Sequence, residues 1–88
     1  MITTEDREKY PHYTDSSILG MKLVSGLKNE VLLDIKEHGP KAEGYRAVLT
    51  LMGKETNPHW ILGRIAEEMY ARDLITHPQF DAFWERYS

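Results

Sequence analysis

Cysteine is absent from this sequence, which excludes disulfide bonds and thiolate metal sites. Long apolar runs are absent too, and none approaches the roughly 20 residues that a membrane-spanning helix needs. The opening stretch, MITTEDREKY, is too polar for a secretory signal peptide. These absences predict a cytoplasmic protein that does not insert into a membrane.

Motifs that carry catalysis or bind metal ions are also missing. The four histidines, His12, His38, His59 and His77, never pair at the helical spacing of zinc-binding motifs. There is no glycine-rich phosphate loop, and no nucleophile motif surrounds a serine. Glu67 and Glu68 are adjacent, so on a helix they point about 100° apart and cannot share a proton. We therefore expect no catalytic residue, no metal site and no cofactor.

The net charge of −3 disfavours nonspecific nucleic-acid binding, which requires clustered basic side chains. Residues 22–54 carry six basic and four acidic side chains, whereas residues 55–88 carry three basic and six acidic ones. We interpret this mild asymmetry as scatter on a solvated surface. A helix-turn-helix over residues 41–73 is a weaker hypothesis, because Glu67 and Glu68 on its second helix would face phosphates.

Apolar residues recur every three or four positions from Ser16 onward, which is the period of an amphipathic helix. The sequence predicts an all-α fold, a compact bundle of about four helices with an N-terminal arm. The predicted helices cover roughly residues 16–38, 41–52, 58–73 and 77–87. The 88 residues divide into an arm, residues 1–15, and a single helical domain, residues 16–88.

The longest predicted helix, residues 16–38, has an unbroken apolar stripe. The stripe consists of Leu23, Val24, Leu27, Val31 and Ile35. Asp15 or Ser16 is the predicted N-cap, and Gly39-Pro40 should end the helix. A strand over residues 31–37 is a weaker alternative, because the helical stripe runs through that segment.

Prolines and capping residues mark the other helix boundaries. Pro11 should stop any short helix that begins at Thr4. Asn57 followed by Pro58 is a start signal for the third helix. Thr76, with Gln79 three residues later, predicts a capping box for the last helix.

Four glycines fall inside the predicted helices, where each weakens the helix relative to alanine. Two explanations stay open, the close approach of a neighbouring element and a local weakness without function. The four are Gly20, Gly26, Gly44 and Gly63.

Large aromatic residues are the strongest candidates for binding. Four of them recur at helical spacing on the last helix, and Trp60 lies off the apolar stripe of its own helix. Either the bundle covers these rings or a partner does. The predicted partner-binding residues are Trp60, Phe80, Phe83, Trp84 and Tyr87.

The sequence favours a small non-enzymatic regulatory, inhibitor or adaptor protein, from a bacterial or viral setting, that binds other proteins and associates with itself. The alternative is a helical module that sequesters a small anionic ligand such as a nucleotide, by aromatic stacking and basic side chains. The residues predicted for that ligand are Tyr10, Tyr13, Lys22, Lys28, Arg46 and Arg64.

Overall fold

The computed structural model describes residues 2–53 and 59–87, and over these residues the chain forms six α-helices and no β-strand. The helices are α1 (Thr4–Lys9), α2 (Asp15–Ser25), α3 (Asn29–His38), α4 (Glu43–Met52), α5 (His59–Ala71) and α6 (His77–Tyr87). A single 3-10 turn, Gly39–Lys41, joins α3 to α4. The all-α prediction is confirmed, but the structure has more helices than the four predicted.

The helix predicted over residues 16–38 is two helices, so that part of the prediction is wrong. Helix α2 ends at Ser25, and Lys28 is extended (φ −74°, ψ 155°) before α3 begins. Gly26 favours a break at this point because glycine is a poor helix former. The freed carbonyls accept hydrogen bonds from the Arg72 guanidinium, at 3.0 Å to Ser25 and 2.6 Å to Leu27. A side chain that directly follows α5 therefore stabilises the bend.

The start of α2 also differs from the prediction of Asp15 or Ser16 as N-cap. Thr14 is the N-cap, and its side chain accepts a hydrogen bond from the Ser17 amide at 3.1 Å. An N-cap residue has extended backbone angles, as Thr14 does, whereas Asp15 already belongs to the first turn of the helix.

The boundaries of α3 and α4 follow the glycines. Helix α3 ends at His38, and Gly39 has a φ of +59°, which confirms the predicted stop. Helix α4 begins at Glu43 and not at residue 41, because the 3-10 turn and the extended Ala42 (ψ 137°) come first. Gly53, with a φ of +79°, follows its last residue.

The segment predicted as an arm, residues 1–15, contains α1, which ends ahead of Pro11. Thr3 and Asp6 form a capping box at its start. Two ion pairs join this segment to α2: Lys22 with Asp6 at 2.8 Å, and Arg7 with Asp15 at 2.9 Å. The segment is thus attached to the bundle mainly through charged groups.

The proposed start of the third helix at Asn57 and Pro58 lies outside the described residues. Helix α5 ends at Ala71, and Asp73 then adopts a φ of +60°. The Leu74 amide donates back to the Met69 carbonyl at 2.9 Å, which closes a Schellman motif. The predicted capping box of α6 is confirmed, with bonds of 2.8 Å and 3.4 Å between Thr76 and Gln79.

Helix α5 is central to the bundle and packs against α2, α3 and α6. None of the helices in the described part of the chain has both the length and the apolar character needed to cross a bilayer. The buried apolar residues are Ile18, Val24, Leu32, Ile35, Ala42, Tyr45, Val48, Met52, Ile61, Leu62, Ile65, Ala66, Met69, Ile75 and Phe83.

Candidate functional site: an aromatic cleft

An open cleft of about 610 Å³ lies where the α1–α2 connection, α2, α5 and α6 meet. We call it the aromatic cleft, because three of its residues are large aromatics. Its lining consists of His12, Tyr13, Thr14, Ser17, Met21, Trp60, Arg64, Glu67 and Trp84.

Helix periodicity brings the α5 contribution together. Trp60, Arg64 and Glu67 stand at i, i+4 and i+7, so they share one face of α5. Ser17 and Met21 are related in the same way on α2. The capping residue Thr14 places the preceding turn, and with it Tyr13, at the rim. Local helix geometry therefore positions much of this lining.

Trp84 enters the cleft from α6 because Gly63 leaves room for it on α5. A Cβ atom at Gly63 would overlap the six-membered ring of Trp84. This close packing explains why a glycine lies inside α5, although glycine on its own weakens a helix. The Trp84 side chain stays 37% exposed, so its packing on α5 leaves part of the indole open to the cleft.

A row of aromatic contacts continues from Trp84 along α6. The ring centroids of Trp84 and Phe80 lie 6.5 Å apart, and those of Phe80 and Tyr70 lie 5.5 Å apart. Tyr70 is 44% exposed. On the other side of the cleft, Tyr13 stacks on Tyr10 at 5.7 Å. The aromatic surface therefore extends beyond the cleft in two directions.

Arg64 is the one Arg or Lys side chain among the residues that line the cleft, and an acidic group pairs with it. Its guanidinium donates to Glu68 at 2.8 Å and to Ser25 at 3.1 Å. Glu68 also accepts from Arg72 at 2.9 Å. Burial raises the pKa of Glu68, but the hydrogen bonds from Arg72 and Arg64 outweigh it and the net pKa is lowered. Glu68 therefore remains ionised and holds Arg64 in place.

Glu67, in contrast, is exposed and makes no hydrogen bond or ion pair within residues 2–53 and 60–87. Helical spacing alone predicts that both Glu67 and Glu68 are solvated charges on the outer face of the helix. Glu68 is instead half-buried, with 16% of its side chain exposed, and serves as a structural partner of two arginines. Among the described residues, the Glu67 carboxylate therefore stands in the cleft without a compensating charge.

The structure separates the predicted partner-binding residues into two groups. Trp60 and Trp84 line the cleft, and Phe80 contacts Trp84 at its edge. Phe83 is only 6% exposed and belongs to the chain's own core. Tyr87 packs against Phe83, with ring centroids 4.8 Å apart, and lies directly on Gly39. The bundle itself covers these last two rings.

The residues predicted for an anionic ligand are similarly divided. Tyr13 and Arg64 line the cleft, while Lys22 pairs with Asp6 on the α1 side of α2. The other three residues, Tyr10, Lys28 and Arg46, are not part of the lining. Lys28 immediately precedes α3, and Arg46 is exposed on α4.

The sequence did not predict a binding role for the other residues that line the cleft. These are His12, Thr14, Ser17, Met21 and Glu67. Helical spacing from Trp60 could have identified Glu67. The remainder depend on how α2 packs beside α5, which no local pattern contains. Within residues 2–53 and 60–87 no group of three or more His, Cys, Asp or Glu side chains is arranged to hold a metal ion.

Comparisons with known protein families, with curated proteins and with solved structures gave no match to this chain.

Proposed function

We propose that this chain is a non-enzymatic regulatory, inhibitor or adaptor protein that binds another protein through the aromatic cleft. One observation carries the proposal: both tryptophans of the chain line the same open cleft. Tyr13 joins them at 53% exposure and Trp84 at 37%, although the bundle has a filled apolar core beneath them. Tyrosine and tryptophan are the preferred anchors of protein interfaces, because they gain much apolar burial from a partner.

The dimensions of the cleft suit a few side chains of a partner segment, not a whole domain. Its volume of about 610 Å³ falls within the roughly 300–1,000 Å³ range of concave binding sites. A stable interface buries about 800 Å² on each side, which exceeds what such a cleft offers. The aromatic row of Tyr70 and Phe80 lies beside it and would extend the contact.

A small anionic ligand such as a nucleotide is the second candidate, and Arg64 favours it because this residue lines the cleft with two tryptophans available for stacking. Two observations weaken this candidate. The Arg64 charge is already paired with Glu68 at 2.8 Å, and the Glu67 carboxylate, which has no partner in the described part of the chain, would repel an anion. Protein binding therefore has the stronger support.

The proposal can be tested by comparing wild type with Tyr13→Ala and Trp84→Ala, each immobilised and exposed to extract of its source cells. Leu51→Ala is the matched control, because Leu51 is 62% exposed on α4 and outside the cleft. We expect proteins retained by wild type and by Leu51→Ala to be lost from both cleft variants. A purified candidate partner must then reproduce this order of affinity.

A second copy of the chain could also occupy the cleft, and sedimentation of the purified protein distinguishes this case. Self-association through the cleft would be lost in Trp84→Ala and kept in Leu51→Ala. Circular dichroism of each variant verifies that it remains folded. Identical retention and identical sedimentation in all four proteins would refute the proposed role of the cleft.

A further inference from the structure

We infer that the aromatic cleft accepts a cationic side chain, lysine or arginine, from the bound protein. This inference rests on the proposed function and specifies the chemistry of the partner. It follows from the combination of three aromatic residues, Tyr13, Trp60 and Trp84, with the carboxylate of Glu67, which has no partner within residues 2–53 and 60–87.

Aromatic faces attract cations because the ring quadrupole places negative charge above and below the ring, and tryptophan does so most strongly. Two of the three aromatic residues in the cleft are tryptophans. Lys9 already lies over the Tyr10 ring, 5.5 Å from its centroid, at the neighbouring edge of the aromatic surface. The same interaction is open to a partner cation at Trp60 and Trp84.

The charges around the cleft favour a cation over an anion. Arg64 is paired with Glu68, and Arg72 directs its guanidinium to the Ser25 and Leu27 carbonyls. Neither arginine therefore presents an unpartnered charge to the cleft. The Glu67 carboxylate has no hydrogen bond or ion pair among the described residues, so it remains available to a cation.

The shape of a long basic side chain also suits the lining. Lysine and arginine carry apolar stems that pack along apolar surface while the charged end remains polar. Met21 lies in the cleft with the tryptophans and offers a flexible thioether to such a stem. His12, which is exposed and lines the cleft, adds a polar imidazole that the partner backbone can reach.

Tryptophan fluorescence reports directly on the cleft, because both tryptophans of the chain line it. We would titrate the intact chain, at low salt, with four capped tripeptides whose central residue is lysine, arginine, norleucine or glutamate. We expect the lysine and arginine peptides to bind about five-fold more tightly than norleucine, which corresponds to a moderate cation–π attraction. The glutamate peptide should bind most weakly.

The contribution of Glu67 is tested with Glu67→Gln, which keeps the size of this exposed side chain and removes its charge. The preference for lysine over norleucine should fall about two- to three-fold, because a surface ion pair contributes little more. Glu37→Gln is the matched control, because it removes an exposed carboxylate on α3 outside the cleft and should keep the preference.

Three results would overturn the inference. Equal affinity for the lysine and norleucine peptides would leave an apolar docking cleft without cation recognition. Tightest binding of the glutamate peptide would favour the anionic ligand. No fluorescence response to any peptide would exclude recognition of an isolated cationic side chain. The proposed function would still be tested independently, by comparing the proteins retained by Trp84→Ala with those retained by Leu51→Ala.

Discussion

The indole of Trp84 fills the space that a side chain at residue 63 would occupy, because Gly63 offers it only a hydrogen atom. This contact joins α6 to α5 at the edge of the aromatic cleft. The contact leaves 37% of Trp84 exposed.

Gly63→Ala should therefore destabilise the fold, although alanine is the better helix former. The added methyl group would collide with Trp84, and overpacking of this kind costs about 1–3 kcal/mol. Gly26→Ala is the control, because its Cβ would lie 3.6 Å from the Leu23 carbonyl oxygen, an ordinary van der Waals contact. Urea unfolding should show a loss only for Gly63→Ala, with an altered tryptophan emission. Equal stability of the two variants would contradict the close packing.

Arg72→Met should lower the free energy of unfolding by about 2–3 kcal/mol, because hydrogen bonds from a charged donor are among the stronger ones. The substitution leaves the Ser25 and Leu27 carbonyls without their donor. The free energy of unfolding of Arg72→Lys should lie between those of wild type and Arg72→Met, because an ammonium group cannot reproduce the planar guanidinium with its several donors. Arg46→Met, on the exposed face of α4, should change stability by less than about 0.5 kcal/mol. A similar effect at both arginines would argue against the bridging role.

The attachment of α1 should weaken in acid. The hydrogen bond from Lys22, followed by that from the Thr3 amide, lowers the pKa of Asp6 from 3.8 to about 2. A lowered folded-state pKa means that the unfolded chain binds the proton first, so the stabilisation is complete above about pH 4 and is lost as pH falls toward about pH 2. The Asp6 carboxyl resonance, followed by NMR, should titrate near 2 in wild type and nearer 3.8 in Lys22→Met.

Urea unfolding gives the matching stability test for Asp6. The advantage of wild type over Asp6→Asn should be present at neutral pH and should shrink as the carboxyl of Asp6 becomes protonated. An advantage that grows toward acid pH would have the wrong sign and would reject the Lys22 interaction as its source.

Thr76→Ala should cost about 1 kcal/mol, the usual effect of removing an N-cap. At the start of α6, the Gln79 amide donates to the Thr76 hydroxyl at 3.4 Å, and the Thr76 amide donates to the Gln79 side-chain oxygen at 2.8 Å. Thr50→Ala is the control, because Thr50 lies inside α4 and caps no helix. Its hydroxyl donates to the Arg46 carbonyl of the same helix. Thermal unfolding should therefore separate the two threonine variants, and an equal melting temperature would refute the capping role.

The sequence predicts the helical class and several boundaries because these depend on neighbouring residues. The stop at Gly39, the end of the second predicted helix at residue 52 and the Thr76 capping box rest on local signals, and the structure confirms each of them. Gly26 favours the bend between α2 and α3, but the bend also depends on a residue far away along the chain. Its carbonyls are bound by Arg72, which is 45 residues from Leu27 along the chain, so the helical stripe gave no sign of it.

The aromatic cleft could be predicted only in part for the same reason. Trp60 stood out because it departs from its apolar stripe, and Trp84 because of its large ring. Spacing alone could not show that Phe83 faces the core while Trp84, the next residue, faces the cleft. That distinction depends on the angle at which α6 crosses α5 and on the space left at Gly63.

The bend at residues 26–28 has a consequence for the order of folding. Its hydrogen-bond donor, Arg72, directly follows α5, so the bend lacks these bonds until α5 docks. Docking of α5 therefore supplies the hydrogen bonds of the bend and, in the same step, brings Trp60 of α5 and Met21 of α2 into one cleft.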